Sequence, residues 1–62
     1  MPEPTNADLS ACAEREAKMR RRVYPRWVAD GRMTQAKAVA ETAMMDHMAG
    51  HFRALAEKER LV

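Results

Sequence analysis

The stretch Val23-Tyr24-Pro25-Arg26-Trp27-Val28-Ala29-Asp30-Gly31-Arg32-Met33-Thr34 decides how this chain folds. It lies in the middle of the sequence and holds three backbone signals in a row. Pro25 has no N–H to donate to a preceding turn, and it pushes Tyr24 away from helical geometry. Two readings fit. A first helix can end near Tyr24, with a short turn of helix restarting over about 25–31, since proline suits a first helical position. Alternatively, one long helix kinks at Pro25. The end-and-restart reading is favoured here. Gly31, directly after Asp30, sits where a helix closes with a left-handed residue. Thr34 then starts a second helix as its cap, with Met33 as the apolar residue before it. A connection this short makes the two helices antiparallel neighbours.

Working outward toward the N-terminus, Ala7 to Val23 contains no Gly and no Pro. Leu9, Cys12, Ala13, Ala17, Met19, Val23 and Trp27 recur at three- and four-residue spacing, which predicts an amphipathic first helix over about 6–24. Its apolar stripe is thin and is interrupted at Glu16 and Arg20. Thr5 or Asn6 can cap it, with Asp8 in the first turn. Residues 1–4, with two prolines, are expected to be a disordered leader. Residues 5–62 are then a single helical-hairpin domain.

Toward the C-terminus, a second helix is expected over about 35–60. Stepping 100° per residue places Ala38, Met45, Met48, Ala49, Phe52, Leu55 and Ala56 on one side. Ala36, Ala40, Ala43, His47, Gly50 and Ala54 fall on the other. The first stripe is a conventional core face. The second is a stripe of small residues, which admits another backbone at close range. It also fits plain surface alanine, but a glycine inside a helix costs roughly 0.5–1 kcal/mol against Ala and wants a packing reason.

The composition agrees with an all-α fold. Ala, Met, Arg, Glu, Lys and Leu are strong helix formers, and aromatic residues make up only 5% of the chain. Sixty-two residues with one cysteine allow no internal disulfide, and chains this short seldom stabilise a lone core. Self-association is therefore expected, as a homodimer forming a four-helix bundle. Ala43, Met45, Met48, Gly50, Phe52 and Leu55 are the candidate core and dimer residues.

Catalytic chemistry finds little footing. His47 and His51 stand four apart, as in a His-Glu-x-x-His metal motif, but Met48 occupies the position of the general base. No third ligand is obvious, although Asp46 and Cys12 can be imagined. Cys12 has no base assigned to it and reads as a small core residue among alanines. No catalytic residue, metal or cofactor is expected, and the chain is read as a non-enzyme. No run of 18 apolar residues exists to span a membrane, the N-terminus lacks the pattern of a signal peptide, and a single free thiol suits a reducing compartment. A cytoplasmic location is the expectation.

The basic cluster is the strongest local feature. Lys18, Arg20, Arg21, Arg22 and Arg26 fall within 17–27, a window without an acidic residue, although the net charge of the whole chain is only +2. Tyr24 and Trp27 are interleaved with them. Arg with Tyr and Trp is the composition of protein-binding hot spots. It is equally that of a phosphate-contacting patch with stacking side chains. The plainer alternative is a solvated face whose arginines pair with acids of the other helix. Arg20, Arg21, Arg22, Tyr24, Arg26 and Trp27 are the candidate partner-binding residues, and the basic cluster 18–26 is the candidate nucleic-acid contact.

The run Val23-Tyr24-Pro25-x-x-Val28, followed by Gly31-x-Met33-Thr34 and an alanine-rich helix with a methionine such as Met45, resembles a segment of small, mostly uncharacterised bacteriophage and prophage proteins. The likeness covers roughly residues 15–48. It implies a phage or mobile-element origin. From that class the expectation is a binder that modulates or inhibits a host protein, in host defence or regulation, within the host cytoplasm.

Overall fold

The computed structural model describes residues 2–61, and among them the chain is all-α. Helix α1 spans Asn6–Ala29 and helix α2 spans Gln35–Leu61. They lie antiparallel. Asn6 near the start of α1 meets Glu59 near the end of α2, Glu14 meets Arg53, and Arg21 meets Asp46.

Local chemistry sets three of the four helix ends. Thr5 caps α1 in a reciprocal box. The Asp8 N–H donates to Thr5 Oγ1 at 3.0 Å, and the Thr5 N–H donates to Asp8 Oδ2 at 3.1 Å, which satisfies two donors the first turn leaves unpaired. At the other end Gly31 has φ +77. Its N–H donates to the Val28 carbonyl at 3.1 Å, and the Arg32 N–H donates to the Trp27 carbonyl at 2.9 Å. That pair of bonds is a Schellman closure. Thr34 Oγ1 accepts from the Lys37 N–H at 3.1 Å and opens α2. Residues 2–4 precede the helices, and Met1 and Val62, which fall in the leader and in the domain's last position, lie outside the described residues.

One sequence expectation is corrected. The chain does not stop at Tyr24 and restart at Pro25; α1 continues through Pro25 to Ala29. Pro25 withholds one backbone hydrogen bond, from the Arg21 carbonyl, but it is exposed, as is Arg21. Solvent can therefore serve that carbonyl. Tyr24 and Val28, on either side of the proline, are half-buried, and their packing holds the last turn in register.

The seam between the helices is made of small residues. Ser10, Ala13 and Ala17 of α1 and Ala38 and Ala49 of α2 are the buried side chains among the described residues. Spacings of three and four in α1, and of eleven (about three turns) in α2, keep one face of each helix on the other. Ser10 Oγ donates to the Ala49 carbonyl at 3.5 Å, so the one buried hydroxyl has a partner. Larger residues flank this seam. Met45, Phe52, Leu55 and Ala56 are half-buried, while Met48 is 41% exposed. The molecule measures 47 × 23 × 14 Å, so it is one helix thick. In such a layer nothing covers a large side chain from behind, and no large side chain is fully buried among the described residues.

The stripes read from sequence are adjusted accordingly. Cys12 is an exposed thiol, where a small core residue was expected. Met19 and Trp27 are exposed at the edge of α1, and the interrupting residues Glu16 and Arg20 are half-buried beside the seam. Ala36, Ala40, Ala43, His47 and Ala54 are exposed. Gly50 is half-buried, but a Cβ built there meets nothing within 4 Å. Close approach inside the hairpin therefore does not require it. Gly50→Ala is expected to stabilise the helix by roughly 0.5–1 kcal/mol through backbone entropy alone, read as a higher denaturant midpoint at unchanged slope. A lower midpoint would show that this position is needed bare.

Candidate interaction surface

The basic cluster resolves into two groups with different surroundings. Arg20 and Arg21 turn toward α2. Arg20 Nε lies 3.1 Å from Glu16 Oε1, and its Nη1 lies 3.5 Å from Glu41 Oε2 and donates to the Glu41 carbonyl at 3.2 Å. Its guanidinium also sits 5.9 Å from the Tyr24 ring centroid. The side chain is only 20% exposed, and this set of partners ties the two helices together on the turn side of the hairpin. Arg21 pairs with Asp46 across the opposite edge.

Arg22 and Arg26 are exposed and make no ion pair among the described residues. The same holds for Lys18 and for Arg15. Spacings of three, four and four put Arg15, Lys18, Arg22 and Arg26 on one outward stripe of α1. At 1.5 Å per residue the stripe is about 16 Å long. Arg15 was missing from the sequence-based cluster because Glu16 separates it from the rest. The helical spacing, read back from Arg26, was the signal that could have found it.

Two aromatics stand at the turn end of this stripe. The Tyr24 and Trp27 rings lie 5.6 Å apart at 33°. Tyr24 is half-buried under Arg20, whereas Trp27 is 37% exposed. Beside them a shallow open groove of about 400 Å³ runs between the helices, lined by Arg20, Arg21, Tyr24, Pro25 and Val28 of α1 and by Ala38, Val39, Thr42, Ala43 and Asp46 among others of α2. Of the six residues expected at a partner-binding site, Arg20 and Arg21 are thus held within the hairpin, Tyr24 supports Arg20, and Arg22, Arg26 and Trp27 present themselves outward.

The remaining candidates are dispersed. His47 and His51 are both exposed, and His51 packs its ring edge-on to Phe52 at 5.4 Å. Asp46, the imagined third ligand, is engaged by Arg21. Among the described residues no group of three or more His, Cys, Asp or Glu is gathered to hold a metal ion, and no helix is long and apolar enough to cross a membrane.

Compared with known proteins, this chain matches no family model, no curated protein and no solved structure. The fold and the surface define it as a two-helix hairpin with a cationic stripe that makes no ion pair among the described residues.

Proposed function

We propose that this chain is a non-enzymatic binding protein of phage or prophage type that docks on a host protein and modulates or inhibits it, in host defence or regulation, in the host cytoplasm. The observation that carries this reading is the contrast within the arginine run. Arg20 and Arg21 have intramolecular acids, while Arg22 and Arg26 have none among the described residues, and Trp27, next to Arg26 in sequence, is exposed. Isolated surface ion pairs contribute little stability, so leaving these cations unpaired costs the fold little and keeps them free for carboxylates of a partner. Trp27 supplies the apolar anchor that such an interface concentrates around. The mechanism is occlusion or bridging by this end of the hairpin, with no bond made or broken.

A second reading is a small nucleic-acid-binding protein. The four-cation stripe from Arg15 to Arg26 favours it, because a row of cations on one helix face can follow phosphates. Four phosphate contacts give a slope of log K against log salt of about −3 to −4. A protein partner anchored on Trp27 gives a shallower one.

Capture from a bacterial host lysate by the tagged chain, with and without nuclease, tests the two together. One dominant host protein retained after nuclease supports the first reading. Capture that vanishes with nuclease puts the second in its place. Absence of specific capture under both conditions counts against both.

A further inference from the structure

Small residues fill the seam, and the exposed methionines are left on one broad face, while Val39 lies on the other. Stepping 100° per residue from the buried Ala13 and Ala17 puts Leu9, Cys12, Met19 and Val23 on one flank of α1. The same steps from Ala38 and Ala49 put Met44, Met48 and Leu55 on one flank of α2. The grooves on the opposite side are lined instead by Ala7, Ala11, Lys18 and Arg21 of α1 and by Ala43, Gly50 and Arg53 of α2. The two large-residue flanks therefore share one side of the hairpin. Met19, Met44 and Met48 are exposed there, and the Glu16–Arg20–Glu41 network that crosses the face is paired within itself.

We infer that a second copy of this chain covers that face, making a four-helix dimer through the methionine side. Surface area supports the size of the occupant. The chain exposes 5007 Å², whereas a compact monomer of 7.1 kDa exposes about 4,100 Å² by the size scaling of folded proteins. The difference of about 900 Å² matches the ~800 Å² that each partner buries in a standard interface. A two-fold arrangement places the same methionine-rich surface on both sides, and methionine adapts to an irregular facing surface. The alanine stripe with Ala43 and Gly50 stays open, as does Arg22, whereas the same helical steps put Trp27 on the flank of Leu9 and Val23, so a second copy would cover the apolar anchor of the host-partner reading and the two occupants would compete for it.

Sedimentation equilibrium of the full chain at about 100 µM, with thermal melts over a concentration range, is the test. The wild type is expected to have twice the chain mass. Met48→Glu places a charge on the covered face and is expected to give the single-chain mass, while Ala43→Glu, on the opposite side, keeps the dimer. A monomeric wild type overturns the inference, as does a dimer that survives Met48→Glu or dissociates equally with Ala43→Glu. If Met48→Glu proves unfolded by circular dichroism, the wild-type melts decide. A midpoint rising with concentration supports the dimer, and a concentration-independent midpoint overturns it.

Discussion

Ala17→Leu is expected to destabilise the hairpin by about 1–3 kcal/mol, the usual cost of forcing extra methylenes into a packed site. Ala17 is 2% exposed and stands at the centre of the seam. Its Cβ lies in the closed seam between the two helices. The added isobutyl group must either leave its rotamer well or push the helices apart, and separation would also loosen the contacts of Ala13, Ala38 and Ala49. In a domain this small, each kcal/mol lowers the melting midpoint by roughly 4–8 °C. The control is Ala40→Leu, an exposed position on the far side of α2, where surface substitutions usually stay within about 0.5 kcal/mol. Melts followed by circular dichroism separate the two. Equal midpoints for the variants would mean that Ala17 does not face a closed seam.

The turn carries the second large effect. Gly31→Ala is expected to cost about 1–2 kcal/mol, because a left-handed backbone brings a Cβ close to the following carbonyl. Gly31 has φ +77, and a Cβ placed there meets nothing within 4 Å. The penalty is therefore conformational and owes nothing to a clash with neighbours. Asparagine visits the left-handed region more readily, so Gly31→Asn should lose less than Gly31→Ala. Denaturant titration of the three proteins gives the order, and an asparagine variant no more stable than the alanine one would place the cost elsewhere.

These two positions also mark what was legible in the sequence and what was not. Gly31, Thr34, and Thr5 or Asn6 with Asp8 in the first turn are local signals, each acting within a few residues, and they pointed to the start of both helices and to the antiparallel hairpin; that Thr5 is the cap came from the structure. Pro25 was read by the same local rule. Whether a helix survives a proline depends on where its orphaned carbonyl points and on what packs on either side, and those are tertiary facts. The seam was obscured for a different reason. Reading by hydropathy ranks Met48, Met19 and Trp27 as core, treats Glu16 and Arg20 as interruptions, and passes over Ser10. Helices joined through alanine approach closely, which favours a serine that reaches a carbonyl and pushes bulky residues to the flank. At the basic cluster, composition gave six candidates but could not tell which arginines the second helix claims, because Asp46 and Glu41 are distant in sequence.

Capture by Arg22→Glu/Arg26→Glu, run beside the wild type on the same host lysate after nuclease, tests the central claim most directly. Both side chains are exposed and unpaired among the described residues, so helicity should match the wild type by circular dichroism. Reversal of two partner-facing charges should then abolish retention of the host protein, since like-charge juxtaposition across an interface costs several kcal/mol. Retention at the wild-type level by a fully helical variant would contradict the assignment of the free stripe as the binding surface.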